Sequence, residues 1–591
     1  MKKVILWLAS LLALTVVGLS IFATYQWHTD KPLSMRVLLD REVLKLILSS
    51  PQMKTSLGLH YLGIDKHNYT LDNGDKLTII EKLPDLASIK STVSQYRDLS
   101  AQEEITRDAV IQLLDSLQVL QPYKYHNYPL DTFDGLHSRF PEFMTNNHPI
   151  ESEDDIESYI ARLDDSVRYF DNVIKGVRLR ESLGIVPPRI VIENVLGQLS
   201  KFIAPKVEDN ILLTSLNTKM LGLDEVGHND KLAFYQQAKA AVSNYVYPSY
   251  QRMIALYEEL QEVTPDGIGY WRLPDGEKAY EAYLRFFTTL NTTPNEVFST
   301  GENEVARLQK QMLDILAKDF GFQKMTFAQA MHSFLSNEEL YFDDSPEGRQ
   351  AVLDEMRAQN EKIRKILPQL FSQPDVPDLQ FIRSPLLTEK NDSLARYNNN
   401  SVLVNLNDMR ALPKSSLPVL TFHEGIPGHH YQTSLTSELA GLPYIISQTP
   451  FGSYMEGWAM YAEQLGYELG LYDTPEEVLS YLHYDLLRSA RMVIDTGIHI
   501  KRWSREKAVA YLMTEAALSQ NEAEIEVDRA IVVPGSGPMY KMGQLKILSL
   551  REQMKARLGE KFSLKHFHDR VLENGALPLP LLDDLLSEKG V

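Results

Sequence analysis

The 591-residue sequence predicts a mostly helical protein with one small β-sheet. After residue 35, apolar residues recur three and four positions apart in stretches such as 37–48, 156–174 and 305–316, which is the period of an amphipathic helix. No alternating series of strands and helices is visible. Two short segments, 379–382 and 401–406, break the helical pattern and are typical of strands.

The segment 401–406 lies shortly before a cluster of histidines. As an edge strand it would hold an extended peptide by backbone hydrogen bonds. The alternative is a small strand that only packs the domain.

Composition limits the kinds of function. A formal net charge of -19 argues against nucleic acid or anionic lipid as the main partner, because the average field repels both. The absence of cysteine excludes disulfides, thiolate metal ligands and cysteine catalysis. Any metal ion must therefore bind His, Asp or Glu.

The N-terminus carries an export signal, because Lys2 and Lys3 precede the apolar stretch 4–27. At about 1.5 Å per residue, this stretch is long enough to cross a hydrocarbon core of about 30 Å. We therefore expect an uncleaved, single-pass anchor in the cytoplasmic membrane, with the rest of the chain on its outer side. The alternative is cleavage near residues 18–23 and secretion to the periplasm. The predicted division is an anchor or signal at 1–30, a helical lobe at 31–290 and a metal-site lobe at 291–591.

The segment 421–432 contains His423, Glu424, His429 and His430. A catalytic zinc site without cysteine uses imidazole and carboxylate ligands and keeps one position open. Glu424 is the candidate general base. In the usual His-Glu-x-x-His helix the histidines are one turn apart, but Pro427 interrupts this segment, so the helix must be kinked or bulged. Either His429 or His430 is then the second ligand. A histidine cluster without metal is the alternative.

A second cluster contains Glu456 and, two helical turns later, Glu463. Acidic side chains are rare on an apolar helix unless they are paired or bind metal. Glu456 is therefore the expected third ligand. Glu463 is expected to orient a histidine, or else to be an exposed carboxylate.

Further candidates lie on the next helices. Arg491, Asp495 and His499 follow Arg488 on one helical face, where a chain of hydrogen bonds would fix His499 as a donor to an oxyanion or to a substrate carboxylate. A surface ladder of salt bridges is the alternative. Tyr540 follows a Gly/Pro-rich loop and is a candidate hydroxyl donor to the tetrahedral intermediate, or a core aromatic.

These motifs resemble the bacterial family called domain of unknown function 885. The likeness rests on residues 423–430, 456–463, 495–499 and 567–569, with Gly575 and 578–579. That family is grouped with helical zinc peptidases of the glutamate-ligand (gluzincin) type, akin to angiotensin-converting enzyme and thermostable carboxypeptidases. The resemblance implies a two-lobed fold with a deep cleft and zinc on its floor. It also implies His423, His429 and Glu456 as ligands and Glu424 as base.

Helix geometry and this resemblance together favour His429 over His430. On an ideal helix the two lie about 9 and 10 Å along the axis from His423, too far for one ion. A bulge that absorbs two residues at Pro427-Gly428 would bring His429 to the metal. His430 would then be free to contact substrate or Glu463.

The predicted function is a zinc-dependent peptidase that cleaves short peptides or small amides outside the cytoplasmic membrane, with Glu424 as general base for a zinc-activated water. One alternative is a zinc hydrolase of a non-peptide amide or ester. Another is an inactive, anchored binding protein of the same fold. The Gly-x-Ser-x-Gly motif of serine hydrolases is absent.

Overall fold

The computed structural model describes residues 20–64, 69–74, 86–386, 389, 393–439, 441–448 and 451–587. Over these residues the protein is mostly helical with one three-stranded sheet, which confirms the predicted helical class with a small β-sheet. Residues 20–28 are helical. The helices of the first half are α1 Met35–Ser49, α2 Pro51–Ser56, α3 Leu86–Val93, α4 Ala101–Leu120, α5 Leu136–Glu142, α6 Glu153–Ser182, α7 Arg189–Ile203, α8 Ile211–Leu221, α9 His228–Ala241, α10 Tyr247–Val263 and α11 Gly276–Thr288. Those of the second half are α12 Pro294–Asp319, α13 Phe327–Leu335, α14 Pro346–Arg364, α15 Leu367–Leu370, α16 Leu417–Glu424, α17 His429–Glu438, α18 Tyr444–Gln448, α19 Gly452–Glu468, α20 Pro475–His499, α21 Arg505–Glu515, α22 Gln520–Val532, α23 Ser536–Leu558, α24 Leu564–Leu572 and α25 Leu579–Ser587.

The sheet has the strand order β1-β3-β2, with β1 Gln380–Arg383 parallel to β3 Ser401–Val404 and β2 Ala395–Asn398 antiparallel to it. Both predicted strands are present, and β2 is an additional edge strand. The sheet's buried side chains share a small core with α14 and with Leu417 and Leu420 of α16. Because α16 carries His423 near its C-terminal end, this packing fixes the direction of the histidine-bearing helix.

Four long helices form the frame around the histidine cluster: α20 packs against α12 and α23, and α23 packs against α19. The crossing of α19 and α23 is very close. A Cβ atom on Gly457 would lie 2.5 Å from the carbonyl carbon of Gly543, and one on Gly543 would lie 1.9 Å from the carbonyl oxygen of Ser453. Glycine is needed on both helices for their backbones to touch, and this contact places Glu456 beside the first turn of α23.

A buried ion cluster joins three of these helices. Lys541 of α23 is almost fully buried, and its ammonium lies 2.6 Å from Asp485 of α20 and 3.0 Å from Glu304 of α12. Removing one member of such a cluster leaves an uncompensated buried charge, which typically costs about 3–5 kcal/mol. The frame is therefore held by charge as well as by apolar packing.

The predicted membrane partner is corrected. Among the described residues, no helix is long and apolar enough to cross a membrane, so the prediction of a membrane-anchoring N-terminal helix is wrong. Residues 4–19 of the predicted anchor lie outside the described residues. The end of the helix at 20–28 is joined to α1, because the Arg41 guanidinium donates to the carbonyl oxygens of Gln26, Trp27 and Thr29.

Two glycine-to-alanine substitutions should have opposite effects on stability. Gly543→Ala forces a methyl group against the Ser453 carbonyl, and overpacking of this kind costs about 1–3 kcal/mol. Gly197→Ala, inside α7 and with no heavy atom within 4 Å, should stabilise by about 0.5–1 kcal/mol through helix propensity. Denaturant unfolding monitored by circular dichroism measures both changes. Equal stability of the two variants would show that the α19–α23 crossing adjusts freely.

Candidate metal centre

The two histidines of the motif are brought together by a sharp connection between two helices. α16 ends at Glu424, residues 425–428 connect the two helices and include a cis Ile426–Pro427 peptide, and α17 begins at His429. A Cβ on Gly428 would lie 1.9 Å from the His423 carbonyl oxygen, so only glycine permits this approach. The Trp458 indole N–H donates to the Pro427 carbonyl at 2.8 Å and ties the connection to α19. The expected helix distortion is thus a complete break between two helices.

His423, His429 and Glu456 converge on one point. Their ligand atoms all lie within 4.8 Å of one another. Oε2 of Glu456 is 3.5 Å from Nε2 of His423 and 3.5 Å from Nε2 of His429. The Glu456 side chain is 21% exposed, whereas that of His423 is 6% exposed. The three side chains expected as metal ligands are therefore assembled at a site that opens to solvent on the Glu456 side.

Glu463 lies behind His423. Its Oε1 is 2.6 Å from Nδ1 of His423, and the carboxylate is buried. Arg488 donates to the same oxygen at 3.3 Å. An acceptor on Nδ1 holds the Nδ1–H tautomer and turns Nε2 towards the cluster, which is the usual arrangement of a metal-ligating histidine. Glu463 thus has the position expected of a residue that orients a ligand.

Glu424 is held by the sheet. Its Oε2 accepts the backbone N–H of Tyr397 at 2.8 Å. Tyr397 lies on β2, and its N–H points away from β3 and towards α16. The candidate base is therefore fixed by a backbone group.

His430 is turned away from the three ligand atoms. It is fully buried, its Nε2 lies 2.9 Å from the Pro377 carbonyl oxygen, and the Tyr397 hydroxyl lies 3.4 Å from its Nδ1. Burial lowers its pKa. Its partners are the Pro377 carbonyl in the loop before β1 and the Tyr397 hydroxyl, and not Glu463, which was one of the two expected contacts.

Tyr540 lies close to the cluster. Nearby Glu456, followed by burial, raises the pKa of the Tyr540 phenol to about 12. The guanidinium carbon of Arg491 is 5.3 Å from the Tyr540 ring centroid, and Arg491 forms a two-pronged ion pair with Glu526 at 2.7 and 2.8 Å. Tyr540 is thus a protonated phenol beside the carboxylate ligand.

The expected relay from Arg491 through Asp495 to His499 is not formed. Asp495 accepts the Tyr280 hydroxyl at 2.6 Å and the Gly535 N–H at 3.0 Å, and burial raises its pKa to about 7 despite these donors. Nδ1 of His499 accepts the Tyr270 N–H, and Nε2 donates to the Ala530 carbonyl.

Both ring nitrogens of His499 are therefore engaged by backbone groups, and burial lowers its pKa to about 4. Such a histidine is neutral and has no free donor for an oxyanion. Asp495 instead fixes the loop that leads into α23 and to Tyr540.

The centre carries excess negative charge. Three carboxylates, Glu424, Glu456 and Glu463, surround the imidazoles, and Arg488 pairs with Glu463. Although burial alone lowers it, the neighbouring carboxylates of Glu456 and Glu463 raise the pKa of His423 to about 10. The nearby imidazoles of His423 and His429 hold the pKa of Glu456 well below its usual range, against the effect of burial. The arrangement favours a cation.

Sequence reasoning missed the contributions of Tyr397 and Trp458. The Tyr397 contact uses a backbone N–H and gives no side-chain signal. Trp458 is adjacent to Gly457 in the second motif, where its indole was a visible but unassigned donor. Arg488 was recognised as part of a helical face, but its pairing with Glu463 was not predicted.

The chain belongs to the bacterial protein family of unknown function DUF885, which matches residues 51–586. The resemblance to this family is therefore confirmed. No curated protein matches the chain.

Two solved structures share the fold. A "putative lipoprotein" from Colwellia psychrerythraea is 27% identical, with 93% of this chain and 98% of that chain covered and a TM-score of 0.83. A "putative lipoprotein of unknown function" from Shewanella oneidensis is 20% identical, with 94% of this chain and 100% of that chain covered and a TM-score of 0.71. At this identity, the likeness supports only a common fold.

The two adjacent histidines should respond differently to substitution. His429→Ala removes a ligand atom that lies 3.5 Å from Glu456, so zinc binding should be lost. His430→Gln keeps a polar group near Pro377 and removes no ligand, so the ion should be retained. Elemental analysis of both purified variants measures this. A zinc-free His430→Gln protein beside a fully loaded His429→Ala protein would reverse the assignment.

Glu463→Gln should weaken zinc binding by about 10- to 100-fold, because loss of an outer carboxylate lowers the basicity of His423. Competition with a fluorescent chelator measures the dissociation constant. Glu560→Gln, an exposed site near the end of α23, makes the same chemical change and should leave affinity unaltered. Equal affinities of the two variants would remove Glu463 from the centre.

Proposed function

We propose that the protein is a zinc-dependent hydrolase, most consistent with a peptidase. The observation that carries the proposal is the spacing of the ligand atoms. Two N···O separations of 3.5 Å are long for hydrogen bonds, and they are close to the edge of about 3.3 Å expected for a tetrahedron with bonds of about 2.0–2.1 Å.

The chemical types of the three candidate ligands also fit zinc. Two imidazoles and one carboxylate, with a fourth position open, form a catalytic zinc set, and His423, His429 and Glu456 would hold the metal. Bound zinc would supply a Lewis acid and lower the pKa of water. The surplus of carboxylates over guanidinium groups matches a divalent cation.

Glu424 is the proposed general base. It follows His423 directly, and the Tyr397 N–H fixes one of its oxygens. A carboxylate held in this way accepts the proton of an attacking water and returns it to the leaving amine. Tyr540, a neutral phenol beside Glu456, is the proposed donor to the developing oxyanion.

A peptide substrate is favoured by the position of β2. This strand lies at the edge of the sheet, and its residue Tyr397 contacts the base. Because the Tyr397 N–H is bound to Glu424 and the Ala395 carbonyl accepts the Ser393 hydroxyl, an extended substrate chain would have to pair with other backbone groups of this edge. A non-peptide amide or ester would use the same centre without this edge, and an inactive binding protein would have no need of Glu424.

We infer that the protein works in the bacterial envelope, after secretion. The similar structures are described as lipoproteins, and this chain has no cysteine that could carry a lipid. The division into lobes 31–290 and 291–591, with a cleft between them, stays a prediction.

The full chain purified without chelator should contain about one zinc ion and should cleave members of a random peptide library. Chelator should abolish cleavage and added zinc should restore it, as read by mass spectrometry of the digest. A protein free of transition metal, or cleavage insensitive to chelator, would contradict the proposal.

Glu424→Gln should retain zinc and lose about 10²- to 10⁴-fold in kcat, because it removes proton transfer but no ligand. Glu456→Gln is the matched change at a ligand, and it should lower zinc content. Full activity of the zinc-loaded Glu424→Gln protein would exclude Glu424 as the base.

A further inference from the structure

The C-terminal motif 567–569 has no part in the proposed chemistry, yet its histidine, His568, lies next to Trp458. Both side chains are completely buried. Their ring centroids are 5.8 Å apart, and the two rings are nearly perpendicular. Trp458 in turn donates to the Pro427 carbonyl, in the connection between the two histidine-bearing helices. A single side chain therefore separates His568 from the connection that presents His429.

Both ring nitrogens of His568 are engaged. Nδ1 donates to the Leu370 carbonyl at 2.9 Å, and Nε2 accepts the Tyr461 hydroxyl at 2.8 Å. Burial lowers the pKa of His568 to about 4, so the ring is neutral at pH 7 and suits one donor and one acceptor. His568 thus joins α19, which carries Tyr461, to the segment that follows α15.

This segment, residues 370–373, is held between α24 and α17. On one side, Asp569 accepts the Ser372 backbone N–H at 3.0 Å and the Ser372 hydroxyl at 2.6 Å. On the other side, the Tyr431 hydroxyl donates to the Gln373 carbonyl at 2.8 Å. Tyr431 lies in the first turn of α17, so the segment is tied to the helix that begins with the second histidine ligand.

Phe371 fills the space between these contacts and is completely buried. Its ring stacks on that of His568, with centroids 4.8 Å apart. The same ring lies 4.4 Å from the Tyr431 ring and 6.2 Å from that of Trp458. The four rings form one aromatic cluster, which links the C-terminal motif to α17 and to α19.

The sequence of α19 separates this cluster from the ion site. Tyr454, Trp458 and Tyr461 recur at four- and three-residue spacing and so share one helical face. This face meets α24, where the Tyr454 hydroxyl donates to the Val571 carbonyl at 2.7 Å. Glu456 lies about 200° round the helix from Tyr454. The face that binds α24 is therefore nearly opposite the face that carries the third candidate ligand.

We propose that His568 is a positioning residue of the metal centre: it holds Trp458 and the segment 370–373, and thereby sets where His429 lies relative to the other two candidate ligands. This rests on the proposed zinc-dependent function and adds a residue that acts without touching the ion. Outer residues that orient metal ligands typically change metal affinity by about 10- to 100-fold. Because His568 acts through Trp458 and the connection, we expect the lower end of that range.

The test measures the zinc dissociation constant of full-length variants by competition with a fluorescent chelator. His568→Phe keeps an aromatic ring but loses both hydrogen bonds, and it should raise the dissociation constant about tenfold. His568→Asn places an amide N–H close to the position of Nδ1, so it should recover part of the affinity through the Leu370 carbonyl. Tyr461→Phe removes only the hydroxyl that binds Nε2, and it should give a smaller rise.

His148→Phe is the matched control. His148 is also buried, its Nδ1 donates to the Pro149 carbonyl at 2.7 Å, and its ring centroid lies 5.2 Å from that of Tyr159. It lies between α5 and α6, in the first half of the chain. This variant loses a comparable hydrogen bond from a comparable site, and it should keep the wild-type zinc affinity.

A second readout needs no metal. Hydrogen exchange followed by mass spectrometry should show faster exchange in the peptide 425–432 of metal-free His568→Phe than in that of metal-free wild type, because the connection is less restrained. Exchange over α12 should be the same in both proteins. This measurement reports on the connection itself and not on global stability.

The outcomes separate the two proposals. Wild-type affinity and exchange in His568→Phe, or an equal loss of affinity in His148→Phe, would overturn the positioning role while zinc binding still stands. If His568→Phe does not fold, Tyr461→Phe decides the question, and unchanged zinc affinity in that variant would overturn the role. A wild-type protein that binds no zinc would overturn the hydrolase itself, and the positioning role with it.

Discussion

The contact between Gly428 and the last carbonyl groups of α16 is the constraint on which the centre depends. The chain must leave α16 and return against its end for His429 to face His423, and a Cβ on Gly428 would collide with the His423 carbonyl. Trp458 then fixes the connection from α19 through the Pro427 carbonyl. Because Glu456 lies on that same helix, one hydrogen bond sets the connection and the third ligand relative to each other.

Around this contact, the side chains of the centre are increasingly buried from Glu456 to Glu463. Glu456 is the most exposed of the three candidate ligands, His423 is almost enclosed, and Glu463 behind it is inaccessible. The Gly457–Gly543 crossing brings α23 close enough to α19 that the charge of Glu456 raises the pKa of Tyr540. One glycine contact therefore holds the helices of His423 and His429 against each other, and another holds the helix of Glu456 against α23.

Much of the centre could be predicted from sequence because its residues repeat with the helical period. Glu456 and Glu463 are two turns apart and share a face, so one could be assigned to the ion and the other to a position behind it. His499 shows the limit of this reasoning. Periodicity showed that it shares a face with Asp495, but not that the backbones of Tyr270 and Ala530, far away in sequence, would occupy both ring nitrogens.

In the fold, too, the elements with a local sequence pattern were predicted, and those that depend on contacts between distant residues were not. The helical class followed from periodicity, and β1 and β3 followed from their apolar content. Strand β2 was not predicted because it is only four residues long and has only two apolar positions, Ala395 and Tyr397. Its pairing with β3 makes it a strand. The backbone N–H of Tyr397, which donates to Glu424, likewise had no signature in the side chains.

The contact between Glu424 and β2 also bears on solubility. Edge strands with unpaired N–H groups tend to recruit other chains and aggregate. Here an acidic side chain accepts one of those N–H groups, at a position where a second β-strand would otherwise dock. Glu424, the proposed general base, therefore also protects the sheet from pairing with other chains. Its loss would leave the Tyr397 N–H at the edge of β2 without an acceptor.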